Sequence, residues 1–332
     1  MKKIIVTHND AEQRLDRFLR KYLNGASLSY IYKIIRKDVK INGTRGKNET
    51  VIHEGDEITL YIPDDVLEKF AVSRAKSSGT RRNFTVAYED ENIIAVIKPF
   101  GLLTHGDGKE KKNTLVNQVV DYLIEKGDYN PRIERSFVPA AANRLDRNTT
   151  GLVLFGKNST ALRELNALIR DKNAISKFYL TILAGNLTEK IHLKGSLTKD
   201  ESRNVVKISN RRAADIRVSD SSADGEKDIE TIACPLENRV GYTLAEVQLI
   251  TGRTHQIRAH MASAGYPVIG DTKYGKPSVN KKLSERFGLT TQLLHAYKLE
   301  FKETGEHLAY LKGKVIEAAL PDMFEKIRQE LF

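Results

Sequence analysis

The tetrapeptide Arg-Leu-Asp-Arg occurs twice in this chain, beginning at Arg14 and at Arg144. An aspartate between cations can act as nucleophile or general base when its surroundings hold it in place. The second copy follows "VPAAAN", which has no helical period, and precedes "NTTG" and the apolar run "LVLF". Asp146 therefore falls on a loop or strand end, where rigid elements present chemical groups at the surface. The first copy opens "RLDRFLRKYL", in which Leu15, Phe18, Leu19, Tyr22 and Leu23 recur at helical spacing. Asp16 is expected on the wet side of that helix, between Arg14 and Arg17, favouring the helix dipole and nothing more. Local sequence leaves Asp146 open between a catalytic carboxylate and a structural ion pair with Arg144 or Arg147.

Other chemistries find little support. The single cysteine, Cys234, excludes an intramolecular disulfide and a cysteine-based zinc site, and fits a reducing cytoplasm. His255 and His260 are five residues apart, so they diverge on a helix and make poor co-ligands. There is no glycine-rich phosphate loop and no paired-histidine zinc motif. Tyr179, in "KFYLTILAG", reads from its own strand as a packing residue. The 54 Lys and Arg exceed the 43 Asp and Glu, for a net charge of +11, which favours a polyanion such as nucleic acid or an anionic membrane surface. The longest apolar run, "IIAVI", is far short of the ~20 residues of a membrane helix. The start, "MKKIIVTHND", turns polar too early for a signal peptide, so a soluble protein is expected.

The elements that must position these residues fall into two blocks. A helix over 14–23 is followed by a second in "SLSYIYKIIRK", where Ile31, Ile34 and Ile35 share a face and Ser27 or Ser29 can cap. Val39 and Ile41 then alternate into an Asn42-Gly43 turn, and Ile58, Leu60 and Ile62 alternate after a Gly55 turn. Residues 12–47 hold ten Lys or Arg and three acids. Basic helix faces are usually just solvated, but this density favours RNA, with Arg14, Arg17, Lys33, Arg36, Lys37 and Lys40 as candidate contacts. "RLDRFL", "KIIRKDVKINGT" and "VIHEGDEITLYIP" resemble the alpha-L RNA-binding motif over residues 12–62, which implies a module at 1–64. Residues 65–83 lose periodicity and gain Ser, Gly, Arg and Lys, as a basic flexible linker does.

From residue 84 to 332 a larger domain is expected. Strands are predicted in "IIAVIK", "GLVLFGKN", "KFYLTILAG", "YTLAEVQLI" and "LLHAYKLEF", with helices over 114–126 and around Leu162–Ile169. They lack regular strand–helix–strand alternation, so the fold class is α+β with a mostly antiparallel mixed sheet. Residues 186–236 are polar, and "SDSSADGEKD" is their expected loop tip.

"KPFGLLTH", "NRLDRNTTGLVLFGKN", "KFYLTILAG", "TGRTHQIRAHMASAGYPVIGDTKYG" and "LLHA" occur in that order. Together, over about residues 85–301, they resemble the RluA-type family of pseudouridine synthases. The resemblance implies the pseudouridine synthase fold and the conversion of uridine in RNA to pseudouridine. The bond from ribose C1′ to N1 of uracil breaks, the bound base rotates, and it rejoins through C5, without cofactor or metal. It further implies that Asp146 is the essential carboxylate, either attacking C1′ or removing a proton from C2′, with Arg258 paired to it. Tyr179 matches a tyrosine that contacts the target base and assists at C5, and Ile257 an apolar residue packed on that base. Arg144 matches a residue that helps fill the stack from which the uridine is extracted. Arg147, Arg253 and His255 are candidates for phosphate or ribose contacts. His105 matches an early family histidine, a loop-holding hydrogen bond being the alternative. Asp271 and Tyr274 in "GDTKYG" read as structural. With the alpha-L motif, the chain resembles the branch acting mainly on large-subunit ribosomal RNA, which implies a structured RNA partner, and a monomer in the cytoplasm is expected. Asn143, Asn148-Thr149-Thr150 and Lys227–Thr231 depart from the usual pattern and leave the substrate subgroup open. Transfer RNA, or a non-catalytic RNA-binding or ribosome-assembly role on the same scaffold, are the alternatives.

Overall fold

The computed structural model describes residues 1–70, 79–131, 134, 136–200, 205–210 and 227–332. Its first part runs β1 (Lys2–Ile5), β2 (Gln13–Arg14), α1 (Leu15–Tyr22), α2 (Leu28–Lys37), β3 (Val39–Ile41), β4 (Thr44–Arg45), β5 (Val51–Ile52), β6 (Glu57–Leu60) and α3 (Asp64–Phe70). The stripe read from α1 does bury Leu15, Phe18, Leu19 and Leu23, against Ile31, Ile34 and Ile35 of α2 and the sheet β1-β6-β3-β4. Ser27 caps α2 by accepting from the Tyr30 amide at 3.2 Å, meeting one of the helix's unpaired donors. Helix α3, from Asp65 onward, occupies the start of the stretch expected to be linker. Val66, Leu67 and Phe70 pack on the same core, so an apolar spacing too short to register in sequence is completed by tertiary contact. Residues 71–78 lie outside the described residues.

Asp16 differs from expectation. It is only 7% exposed, because Arg14 folds back over it and donates from Nε and Nη2 at 3.1 and 2.7 Å. The Asp16 amide meanwhile donates to the Asn48 carbonyl at 3.1 Å, bringing the 48–50 segment over the first turn of α1. The first tetrapeptide thus makes a local ion pair that joins a strand to a helix.

The second part runs β7 (Thr85–Glu89), β8 (Ile93–Lys98), α4 (Leu115–Lys126), β9 (Ala140–Ala141), β10 (Thr150–Gly156), α5 (Ser159–Arg170), β11 (Ile175–Ala184), β12 (Ile191–Asp200), β13 (Val205–Asn210), β14 (Lys227–Arg239), β15 (Tyr242–Leu249), α6 (Gln256–Ser263), α7 (Pro277–Phe287), β16 (Leu294–Phe301), β17 (Val315–Glu317) and α8 (Asp322–Leu331). Its sheet is ordered β13-β12-β14-β15-β11-β16-β10-β8-β7, with β17 on β16 and β9 on β10. Neighbouring strands are antiparallel except β10 and β16, which run parallel, so the expected mostly antiparallel mixed sheet is present. The polar 186–236 region supplies β12, β13 and β14. Of the expected loop tip, Lys227 and Asp228 begin β14, and residues 219–226 lie outside the described residues.

Helices α4 and α6 cover one sheet face, where Leu123, Val153, Leu183, Val247 and Met261 form the core beneath the site. Helix α5 covers the other face through Leu165 and Leu168 against Leu152 and Leu154. The two parts meet where Asn9 accepts from the Ser159 amide at 2.9 Å and Asp10 accepts from Ser136.

Gly151 makes the parallel junction of β10 and β16 possible. Its φ is +113°, and a Cβ there would stand 2.1 Å from the Ala296 carbonyl oxygen. Alanine has neither the conformational freedom nor the space. Gly151→Ala is therefore expected to lower stability by about 3 kcal/mol or more, read as the urea midpoint. A loss under about 0.5 kcal/mol, the range of ordinary surface changes, would contradict the assignment.

Candidate active site

Asp146 sits on a turn between β9 and β10, with its backbone carbonyl accepting from the Thr149 amide at 3.1 Å. Several groups fix this turn. Asn143 donates from Nδ2 to the Leu152 carbonyl at 3.2 Å and accepts from the Leu154 amide at 2.8 Å. Thr104 Oγ1 donates to the Leu145 carbonyl at 2.9 Å and accepts from the Leu145 amide at 3.2 Å. Lys98, at the end of β8, is fully buried, and its Nζ donates to the carbonyls of Pro99, Leu102 and Arg147 at 3.0, 2.8 and 2.9 Å. Three acceptors match the three N–H bonds of an ammonium. Burial lowers this group to about 7, with the negative charge of Asp146 opposing.

Opposite the turn stands the segment leading into α6. Gln256 pins it by accepting from Thr251 Oγ1 and the Arg253 amide, at 2.9 and 3.1 Å, and donating to the Glu230 carbonyl and Thr231 Oγ1, both at 3.0 Å. His255 adopts a left-handed backbone, φ 55°, immediately before the helix. Arg258, two residues into α6, is buried and forked. Its Nη1 donates to Asp146 Oδ2 at 3.2 Å, while Nε and Nη2 donate to Asp271 at 2.6 and 2.9 Å. A guanidinium can hold both because its donors form a rigid planar fork.

Asp271 has no exposed side-chain surface, yet its carboxyl is held below the usual range. Burial pushes it upward, and the Arg258 hydrogen bonds and charge, with the amides of Lys273 and Tyr274, outweigh that. The Arg258 guanidinium also lies 5.4 Å from the Tyr274 ring centroid. His255 Nδ1 is 3.1 Å from the Tyr274 hydroxyl and Nε2 3.8 Å from Asp146 Oδ2. Burial lowers the His255 pKa, against the opposing charge of Asp146, so near neutral pH its ring is uncharged and the charged partner of Asp146 is Arg258.

These residues enclose an open cleft of about 550 Å³, its mouth included, lined by Arg144, Asp146, Tyr179, Arg253, His255, Ile257 and Arg258, with Leu249 and Leu294 as apolar walls. Tyr179 is 7% exposed, and burial and then the Asp146 charge raise its phenol well above the usual value. A neutral tyrosine, an apolar wall and one oriented carboxylate can hold a flat polar ring and act at one of its atoms. Two predicted residues stand apart. Arg147 turns out to Asp107, 3.5 Å away, and His105 is exposed; neither lines the cleft. In the first part Arg14, Arg17, Lys33, Arg36 and Lys37 are exposed, Arg14 being occupied by Asp16, and Lys40 lies 5.5 Å from the Tyr61 ring centroid. Among the described residues no group of three or more His, Cys, Asp or Glu is placed to hold a metal, and no helix is long and apolar enough to cross a membrane.

A family model described as RNA pseudouridylate synthase matches residues 92–263, which contain Asp146, Tyr179 and Arg258. The chain belongs to the RNA pseudouridylate synthase family, and within it to the RluA type. Ribosomal large subunit pseudouridine synthase C of Escherichia coli O157:H7 is 32% identical over 100% of this chain and 97% of its own length. The protein of the same name from Haemophilus influenzae is 31% identical over 100% of this chain and 95% of its own length. An uncharacterized RNA pseudouridine synthase of Mycoplasma capricolum is 31% identical over 95% and 97%. The solved human RNA pseudouridylate synthase domain containing 4 shares the fold, with TM-score 0.56 and 20% identity over 74% of this chain and 92% of that one. This RNA pseudouridine synthase therefore carries its cleft on a sheet scaffold that the family shares.

Asp271 and Lys98 are the two residues whose part in the site sequence reading missed. Asp271 was read as structural; what it structures is Arg258. The signal was an acid followed within three residues by backbone amides in a glycine-bounded turn, a motif that holds an anion. For Lys98 the signal was a lysine closing a wholly apolar strand, where a charge needs several partners.

Proposed function

We propose that this enzyme converts uridine to pseudouridine in large-subunit ribosomal RNA with Asp146 as the reacting carboxylate and no cofactor. The observation that carries the reading is the convergence of Asp146, Arg258 and Tyr179 on one cleft from three separate segments of chain. Relatives whose names specify the ribosomal large subunit, alignable over the whole chain, support the choice of RNA.

An extracted uridine enters between Ile257, Leu249 and Leu294, and its ring meets the Tyr179 face. Extraction from the stack costs a few kcal/mol, offset by stacking and phosphate contacts in which Arg144 and Arg253 take part. Asp146 then acts at C1′ or at the C2′ proton. Arg258 places a positive charge against its carboxylate and fixes its direction at 3.2 Å, so no reorientation is needed at the moment of reaction. Tyr179, kept neutral, contacts the base while it rotates, and the C5 proton is released once C5 has bonded to C1′. The basic face of α1 and α2 binds RNA in the manner of an alpha-L module, and the enzyme works as a monomer in the cytoplasm.

The test is tritium release. RNA carrying [5-³H]uridine loses tritium when C5 becomes the glycosidic carbon. Unmodified large-subunit ribosomal RNA should release tritium with the wild-type enzyme, and bulk transfer RNA should not. Release from transfer RNA alone would replace the substrate, and release from neither would end the reading.

A further inference from the structure

Behind the wall that Leu294 gives to the cleft lies a second hollow of about 710 Å³, its mouth included, between Phe100, Asn148, the 288–294 segment and the start of α8. Its floor is apolar, with buried Leu289 and Phe324, Met323 stands exposed at its lip, and Asn148 and the buried Gln292 add polar groups to the lining. That composition, an apolar floor with a few polar edge groups, is the usual one for a small-molecule or base site. Asn148 is two residues beyond Asp146 on the same turn, so their Cα atoms stand at most about 7.6 Å apart.

Phe100 is 58% exposed, which alone would mean little. Its backbone sets it apart. It occupies the tip of a turn in which Gly101 takes φ +78°, and Lys98 Nζ binds the carbonyls at both ends, Pro99 and Leu102. The same ammonium binds the carbonyl of Arg147, tying the Phe100 turn to the Asp146 turn. The turn that carries this exposed aromatic ring is thus tied to the Asp146 turn, and the ring lines an apolar hollow whose lining contains no Asp or Glu.

We propose that this hollow receives an unpaired nucleobase of the substrate RNA, close along the strand to the target uridine, stacked on Phe100 with its edge toward Asn148 and Gln292. The proposal rests on the RNA-modifying reading above. A base is the occupant that fits: the chain carries +11, the hollow shares the Leu294 wall with the uridine cleft, and stacking on an exposed ring suits any base.

The experiment measures tritium release from unmodified, in vitro transcribed large-subunit ribosomal RNA labelled with [5-³H]uridine. Phe100→Ala should raise KM about ten-fold, the range of one lost base–aromatic stack, with kcat within about two-fold of wild type. Phe100→Trp should restore KM to within about two-fold. Met323→Glu, which puts a negative charge at the exposed lip, should raise KM like Phe100→Ala and serves as an independent variant. A wild-type KM in Phe100→Ala, or a Trp variant no better than Ala, overturns the proposal and leaves the hollow to some other occupant, such as a protein. No release by the wild-type enzyme itself would overturn the functional reading first, so the two failures are distinguishable.

Discussion

Asp146→Asn is expected to abolish pseudouridine formation, by on the order of 10³–10⁴-fold or more, while RNA binding and thermal stability stay close to wild type. The amide keeps the size and planarity of the carboxyl but cannot attack C1′ or accept a proton. Arg258 loses one charged contact at 3.2 Å and keeps its two bonds to Asp271, so the site should remain assembled. Phosphate and stacking contacts come from other residues, and those set affinity. The measurements are single-turnover tritium release, RNA affinity and melting temperature on the same preparation. Activity within ten-fold of wild type would remove Asp146 from the chemistry.

Asp271→Ala should have the second-largest effect, on stability and turnover together. It leaves the Arg258 guanidinium buried with a single, partly solvated partner, and breaking a buried pair this way costs about 3–5 kcal/mol. For a domain of this size that is a fall in Tm on the order of 10 °C. Without its anchor the fork can swing, and a displacement near 1 Å of a group aimed at the reacting centre costs about 10²-fold in rate. The loss should fall mainly on kcat, because Asp271 does not line the cleft that takes the base. Arg258→Lys should not be a mild change either. One ammonium cannot reproduce the three N–H bonds that reach Asp146 and Asp271. A stable Asp271→Ala enzyme with normal kcat would show that Arg258 needs no anchoring.

What sequence made legible follows from range. Periodicity placed α1, α2 and α4 and the strands β8, β10, β11, β15 and β16, because each is a local pattern of burial. It could not show that Asp16 is covered, since that depends on Arg14 folding back and on a turn about thirty residues further along passing overhead. The same holds for α3, whose three apolar residues become a helix face only against a core made elsewhere.

At the site, flanking residues left Asp146 undecided; the segments that carry Tyr179 and Arg258 are what the fold brings beside it. Adjacency to Asp146 does not put Arg147 in the cleft: its side chain lies toward Asp107. Asp271 stayed hidden because its importance lies in a pair thirteen residues apart across a turn. Lys98 stayed hidden because its acceptors are backbone carbonyls, which leave no mark in composition.

The most direct test of the central claim is a carbodiimide map of pseudouridine in large-subunit ribosomal RNA from cells lacking this chain, complemented with wild type or with Asp146→Asn. At least one pseudouridine should be absent without the chain, return with wild type, and stay absent with Asp146→Asn at equal protein level. A map that does not change on deletion, or a site restored by Asp146→Asn, would contradict the account.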